Sequence, residues 1–417
     1  MGKKRESDIL NNAKWLILYN IANSIISVFL TAVMSRYLGP DNWGKLSYAT
    51  SLISIFAAVS NLGIDSILVA EIVNNRKKEG TVIGTALVLK FIASLISFLC
   101  LIIFLVVVNN NDKIILIIVL LQGISLLFQG YHLLGEWFLA NLCSKYYVIA
   151  VLFGVICSSV LKLGLVWENR NVFYFAIVTT IESIVTFFMC FIFFLKVKNF
   201  KLKINANVAK DILNKSWYFI ISNIAIVIYT QIDKVMLNNM TDDYTVGLYS
   251  AGSTIAHLWI FVPNAYVNSW KSKILGKWGE KSNEAKIELK RLTRKVMFLC
   301  GAFAICVSIA GKLIIYILYG NDYLGSYPIM IILTWASVFA IYGTLGTIWI
   351  LGEGVNKYSS IRTAIGAIIN VVLDFIAIPR FGMCGAAWAT LISQICVTCF
   401  CMLIWKETRG FIKISKK

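Results

Sequence analysis

Gly44-Lys45-Leu46-Ser47-Tyr48-Ala49-Thr50 opens one long apolar segment, and 203 positions later Gly247-Leu248-Tyr249-Ser250-Ala251-Gly252-Ser253 opens another in the same way. In both places the glycine follows a short polar connection, and that connection follows an apolar segment with a tryptophan near its start, Trp15 in one case and Trp217 in the other. The chain is written twice. Self-similarity over about half a chain, inside apolar sequence, is the pattern of membrane transporters built from two like halves.

Of the 417 residues, 59% are apolar and 14% charged, where a soluble domain carries roughly 45–50% and about 25%. Apolar runs of the ~20 residues needed to cross a bilayer recur about twelve times, at 14–35, 45–72, 82–108, 114–136, 146–166, 172–195, 216–238, 246–269, 296–318, 328–350, 359–378 and 384–405. The predicted fold class is an all-α polytopic membrane protein with about 12 transmembrane helices. A net charge of +18 would point to nucleic acid in a soluble protein, but here its location decides its meaning. Outside the spans or on their first residue, 29 Lys and Arg fall on the side holding both termini and the even-numbered connections, against 5 on the other. Cytoplasmic loops retain positive charge, so both termini are predicted to be cytoplasmic. The basic loops are then expected to lie on anionic membrane lipids, and nucleic acid is not an expected partner.

Six spans precede the basic connection 196–215 and six follow it. An even number returns each half to the side where it began, so 1–195 and 216–417 are predicted to be parallel six-helix bundles joined by a cytoplasmic linker, 196–215. In the second half the connection 271–295 reads as an amphipathic surface helix, with Ile274, Leu275 and Trp278 on one side and Lys273, Lys277 and Lys281 at i, i+4 spacing on another. Connections on the opposite side, such as 109–113 and 241–245, are too short to form an enzyme's active site. Nearly all of the ten cysteines fall inside spans with no histidine cluster beside them. They read as packing residues, and neither a metal site nor a catalytic residue is expected.

Three motifs carry a resemblance. Ser35-Arg36-Tyr37-Leu38-Gly39-Pro40, followed by Trp43-Gly44, Ser47-Tyr48-Ala49 and Asn61-Leu62-Gly63-Ile64, is similar to the first-loop pattern of bacterial O-antigen (polysaccharide repeat-unit) flippases. So is Tyr229-Thr230-Gln231-Ile232-Asp233-Lys234-Val235-Met236-Leu237 leading to Val246-Gly247-Leu248-Tyr249-Ser250-Ala251. The third is Ile378-Pro379-Arg380-Phe381-Gly382-Met383-Cys384-Gly385-Ala386-Ala387-Trp388-Ala389-Thr390, like the family's segment between its last two spans. The resemblance implies a V-shaped fold similar to the multidrug exporters of the same superfamily, sited in the bacterial inner membrane and working by alternating access. The implied cargo is an undecaprenyl-pyrophosphate-linked oligosaccharide repeat unit, carried from inner to outer leaflet. Implied partners are that lipid-linked oligosaccharide, a polysaccharide polymerase and a chain-length regulator. The rival reading is an ion-coupled antiporter of small organic cations, which needs a cavity dominated by carboxylates and aromatics instead of cationic walls.

A flippase makes no covalent bond, so charges within spans are the candidates, each costing about 2.5–3.5 kcal/mol at a helix centre. Lys90 lies roughly 12 Å into its span at ~1.5 Å per residue, and with Arg362 it is a candidate for the anionic headgroup; Glu71 and Glu136 are the alternative partners of Lys90. Lys162 is expected to pair with Glu168 or to snorkel, and Lys312 to anchor at the interface. Glu182, near the middle of its span with no cation at i±3 or i±4, reads as an unpaired acid, and with Asp65 it is a candidate for binding a coupling proton or sodium ion. Asp233 and Asp374 are candidates for a gate or a bundle contact. His132 is expected to hydrogen-bond Glu136 at i+4. Gly63, Gly123, Gly130 and Pro263 are positioned to bend their spans.

Overall fold

The structure, a computed structural model, describes residues 2–108, 112–278, 282–355 and 357–416. Lys281, the last member of the predicted basic stripe, lies outside them. Among the described residues the regular structure is helical, with no strand. The first half runs through α1 (Gly2–Ser60), α2 (Asp65–Asn74), α3 (Glu79–Val108), α4 (Lys113–Gly123), α5 (Tyr131–Ala140), α6 (Ser144–Trp167) and α7 (Val172–Val197). The second runs through α8 (Ala206–Met240), α9 (Asp243–Leu258), α10 (Phe261–Lys277), α11 (Ser282–Tyr319), α12 (Tyr327–Gly352), α13 (Lys357–Ile395), α14 (Cys401–Ile404) and α15 (Arg409–Lys416).

Among the described residues, ten helical runs are long and apolar enough to cross a membrane. Two of them are broken, Lys14–Asn74 at Gly39 and Lys357–Ile404 at Gly382, both glycines having positive φ. Counting each broken run as two crossings gives twelve, as the apolar pattern predicts. Pro40 sharpens the first break, since it has no N–H to continue the helix. The smaller bends also fall where the sequence puts them. At Gly63 φ is 61°, and a Cβ there would stand 2.7 Å from the Ser216 carbonyl oxygen. The fourth span ends its first piece at Gly123, passes through a 3-10 stretch at Ile124–Phe128, and resumes after Gly130. The eighth is interrupted between Leu258 and Phe261. Pro263 cannot donate to the Trp259 carbonyl, which instead takes Val262 N–H at 3.2 Å.

The helices form two compact units, one of Met1–Leu38 with Ala49–Val227, the other of Gly39–Tyr48 with Ile228–Lys417. The boundary falls within α8, because the basic segment 196–215 is packed into unit 1. There Lys203 N–H donates to Gly80 O at 3.2 Å, and the ring of Phe200 lies 6.1 Å from that of Trp137. Ile64, just before α2, and Leu68 and Ile72 within it share the core of unit 1 with Leu134 and Phe138 of α5 and Phe194 of α7. Glu79 ties one end of this core, accepting from Trp137 Nε1 at 2.6 Å and Asn141 Nδ2 at 2.8 Å. In lipid, where apolar burial supplies little drive between helices, such close packing and satisfied polar groups hold them together.

Unit 2 is built around α12, whose Val338, Ile341, Leu345 and Trp349 meet Val267 and Ile274 of α10 and Leu292 and Val296 of α11. The segment 271–295 is not a separate surface helix. α10 runs on to Lys277 and α11 begins at Ser282, so the segment is the paired ends of two spanning helices. Ile274 and Trp278 face the core, and Trp278 meets Trp349 edge-on at 5.4 Å, so the apolar side that sequence assigns to lipid is covered by protein. Lys277 reaches across to Glu288 at 2.6 Å.

The two repeated glycines meet each other in unit 2. A Cβ on Gly44 would collide with the Asp243 carbonyl and lie 3.0 Å from Gly247 N, and one on Gly247 would collide with the Pro40 carbonyl. Two backbones approach here as only glycine permits, and Lys45 reaches Asp243 at 3.7 Å beside them. The rest of α9 continues the small-residue face, with Ser250, Ala251, Gly252 and Ala256 buried. Ser337 Oγ of α12 donates to Ala256 O at 3.0 Å.

Candidate functional site

Asp233 of α8 and Asp374 of α13, 5% and 0% exposed, come together inside unit 2. One Asp233 oxygen is well provided, accepting from the Tyr249 hydroxyl and from Thr390 Oγ1 at 2.6 Å. The other has no hydrogen-bond partner among the described residues, and neither do both oxygens of Asp374 or both polar atoms of Asn370. Asn370 stands one turn before Asp374, on the same face of α13. An unsatisfied buried polar atom costs about 1–3 kcal/mol, and two carboxylates side by side in a low-dielectric interior repel as well. A shared proton or a small cation relieves both penalties. Carboxylate, amide and hydroxyl oxygens are the donor set hard cations take.

From this pair a polar chain leads to a second feature. Ser393 Oγ donates to Thr390 O at 2.9 Å and lies 3.2 Å from the Tyr229 hydroxyl. Tyr229 sits one turn before Asp233 on α8, and it also lines a cavity of about 240 Å³. Arg362 projects into that cavity from α13. It is 6% exposed, and one end of its guanidinium donates to Thr347 Oγ1 at 3.0 Å and Gly343 O at 3.3 Å. Its Nε is buried with no partner among the described residues. All its acceptors are neutral.

In unit 1, Lys90 is 2% exposed and donates to Asn61 Oδ1 at 3.0 Å, not to Glu71 or Glu136. Glu71 instead takes Lys215 at 2.8 Å. Asp65 lies near enough to act electrostatically on Lys90, His132 and Glu136, and one of its oxygens is buried with no partner among the described residues. The expected His132–Glu136 hydrogen bond does not form; His132 lies against the Tyr131 ring at 4.1 Å. Glu182 is the main correction. It is paired: Lys162 Nζ of α6 reaches Glu182 Oε2 at 3.2 Å and Ser158 Oγ donates to it at 2.6 Å. Glu168, the sequence-expected partner of Lys162, pairs with Arg170 at 3.0 Å. α6 and α7 form a hairpin, so groups about 20 positions apart along the chain face one another, which no i±4 search detects. Sequence reasoning also missed Asn370, Tyr249 and Thr390. The spacings Asn370–Asp374 and Tyr229–Asp233 are the only local signals that were available.

Comparison with known proteins shows the family and the fold. The family described as polysaccharide biosynthesis protein matches residues 9–269, more than half of the chain. The chain belongs to that family. Among curated relatives, this family member is 28% identical over 206 residues to the capsular polysaccharide biosynthesis protein CapF of Staphylococcus aureus, covering 48% of the chain and 51% of CapF. It is 32% identical over 88 residues to the uncharacterized membrane protein MJ1068 of Methanocaldococcus jannaschii, covering 21% of the chain and 17% of that protein. The chain thus spans about half the length of the first relative and less of the second. In fold it is similar to the lipid II flippase MurJ in an inward closed conformation, with a TM-score of 0.76, 16% identity, and coverage of 96% of this chain and 90% of that one. It is also similar to an inward-facing multidrug-resistance MATE transporter of the MOP superfamily, with a TM-score of 0.72, 15% identity, and coverage of 94% and 95%. The fold is one that a lipid II flippase and multidrug transporters share.

Proposed function

We propose that the protein is a flippase that moves lipid-linked polysaccharide repeat units across the bacterial cytoplasmic membrane, from inner to outer leaflet, by alternating access. The observation that carries this reading is that each unit buries one cation held only by neutral acceptors, Lys90 by Asn61 and Arg362 by Thr347 and Gly343. A buried cation with no carboxylate in hydrogen-bond contact is expensive within a span, Asp65 acts on Lys90 only from a distance, and an anionic cargo repays the remaining cost. The family match and the flippase fold support the same reading. O-antigen or a related surface polysaccharide on an undecaprenyl pyrophosphate carrier is the cargo class proposed, with both termini cytoplasmic. A polymerase and a chain-length regulator are the proposed partners. We assign the coupling ion, a proton or sodium, to Asp233 and Asp374 in preference to Glu182, whose charge Lys162 already balances.

Export of small organic cations is the second reading, favoured by the buried acid pair and by the likeness to multidrug transporters. Deleting the gene separates the two. The flippase reading expects loss of surface polysaccharide and accumulation of lipid-linked repeat units, restored by the wild-type gene and not by Lys90→Ala. Normal surface polymer together with heightened sensitivity to cationic drugs would replace it with the exporter reading.

A further inference from the structure

The first turns of α11 present two different faces. Ala285, Leu289, Leu292 and Val296 point into the core of unit 2. On the outside, Ile287, Lys290, Arg291, Arg294, Lys295 and Phe298 recur at the i, i+3, i+4 spacing of a single helix face and line a hollow of about 570 Å³. Four of these six are cations, and no carboxylate lines the hollow. Glu288, the nearest acid along the helix, is held by Lys277 at 2.6 Å, and Glu353 by Lys286 at 2.8 Å. The stripe therefore keeps a strong positive charge.

A second hollow, of about 420 Å³, adjoins the first and shares Lys295 with it. It is an apolar groove at the interruption of the eighth span, where Trp259, Val262, Pro263 and Tyr266 face Leu299 and Phe303 of α11. Lys295 stands where the two hollows meet, held there by donating to the Tyr266 hydroxyl at 3.2 Å. That contact uses one of the three N–H groups of its ammonium. From Lys295 to Phe303 the helix rises about 12 Å, at ~1.5 Å per residue, toward the middle of the span. Charge at the end of the span followed by an apolar groove running inward is the order of groups in a phospholipid, and both volumes fall in the roughly 300–1,000 Å³ range of ligand sites. We propose that the two hollows together bind one anionic phospholipid, its phosphate against Arg291, Arg294 and Lys295 and an acyl chain in the groove beside Pro263. Charge complementarity selects this occupant: a zwitterionic lipid would bring its own ammonium to a cationic stripe, and an acidic protein segment would leave the apolar groove unfilled. The site is separate from Lys90, Arg362 and the acid pair, so it stands whatever the cargo is.

The test uses the purified full chain in detergent, with bound lipid counted by native mass spectrometry. Phosphatidylglycerol is the probe, phosphatidylcholine of the same chains the zwitterionic control, and glycerol 3-phosphate the headgroup without chains. A saturable one-to-one adduct with phosphatidylglycerol is expected, with both controls weaker by about tenfold or more. Arg291→Gln should weaken that adduct by about fivefold, the scale of one cation near a lipid surface, and Arg291→Gln with Arg294→Gln by more. Val262→Trp fills the groove and should weaken it by about tenfold, the worth of roughly two buried methylene groups. Lys210→Gln, an exposed basic position in the other unit, should change nothing. Arg291 and Val262 are themselves exposed, so either single variant carries the test should the double variant fail to fold. No saturable adduct, equal binding of phosphatidylcholine, unchanged affinity in Arg291→Gln or in Val262→Trp, or equal loss in Lys210→Gln would each overturn the site. Binding of poly-glutamate as tight as that of phosphatidylglycerol, and indifferent to Val262→Trp, would overturn it in favour of an acidic protein partner.

Discussion

Asp374 buries both carboxylate oxygens with no donor on either among the described residues, beside a second acid. Of the charged groups within the spans this is the one whose surroundings most demand an ion. Glu182 has what Asp374 lacks, a cation at 3.2 Å and a hydroxyl at 2.6 Å. The expected consequence is a ligand-linked stability: whichever ion fills the pair, sodium at fixed pH or a proton as pH falls, raises the melting temperature of the purified protein. Saturation a hundredfold above the dissociation constant is worth about 2.7 kcal/mol. Asp374→Asn and Asp233→Asn should each abolish the response, whereas Glu182→Gln should leave it in place. Melting curves of the aspartate variants that respond to the ion as the wild type does would remove the pair from the mechanism.

Glycine and proline set the elements. The bends at Gly39, Gly63 and Pro263 divide long apolar runs into pieces that fit their neighbours, and each has a local cause visible in sequence. The meeting of Gly44 with Gly247 does not. Its cost can be measured: Gly247→Ala forces a methyl against the Pro40 carbonyl, and overpacking of this kind typically costs about 1–3 kcal/mol. Gly164→Ala is the control, because nothing lies within 4 Å of a Cβ at that position. In thermal melts the first substitution should lower the transition clearly and the second leave it unchanged or raise it. Equal effects would mean that the close approach contributes nothing.

Across the whole molecule, twelve crossings and the distribution of basic residues make a joint statement about orientation. An even number of crossings puts the two termini on one side, and we propose, from 29 basic residues against 5, that this side is the cytoplasm. Reporter fusions at each end that are active only in the cytoplasm should both be active, and a fusion in the connection at 241–245 silent. One active terminus and one silent would mean an odd number of crossings, and the two-bundle plan would have to be redrawn.

The sequence by itself determined the class of the protein, the number of crossings, the positions of the bends and the charged residues worth suspecting. All of these rest on composition and local periodicity, which short-range backbone chemistry and the bilayer's thickness enforce. Pairing was decided only by the tertiary structure. Lys162 meets Glu182 because α6 and α7 form a hairpin, Asp374 meets Asp233 across 141 positions of chain, and Ile274 and Trp278 turn to protein instead of lipid because α12 lies beneath them. Which face of a helix meets which neighbour depends on packing among several helices at once, and in a chain this apolar one face reads much like another. The repeated glycines show both halves of this. Their recurrence announced two halves, and only the folded chain brought the two copies into contact.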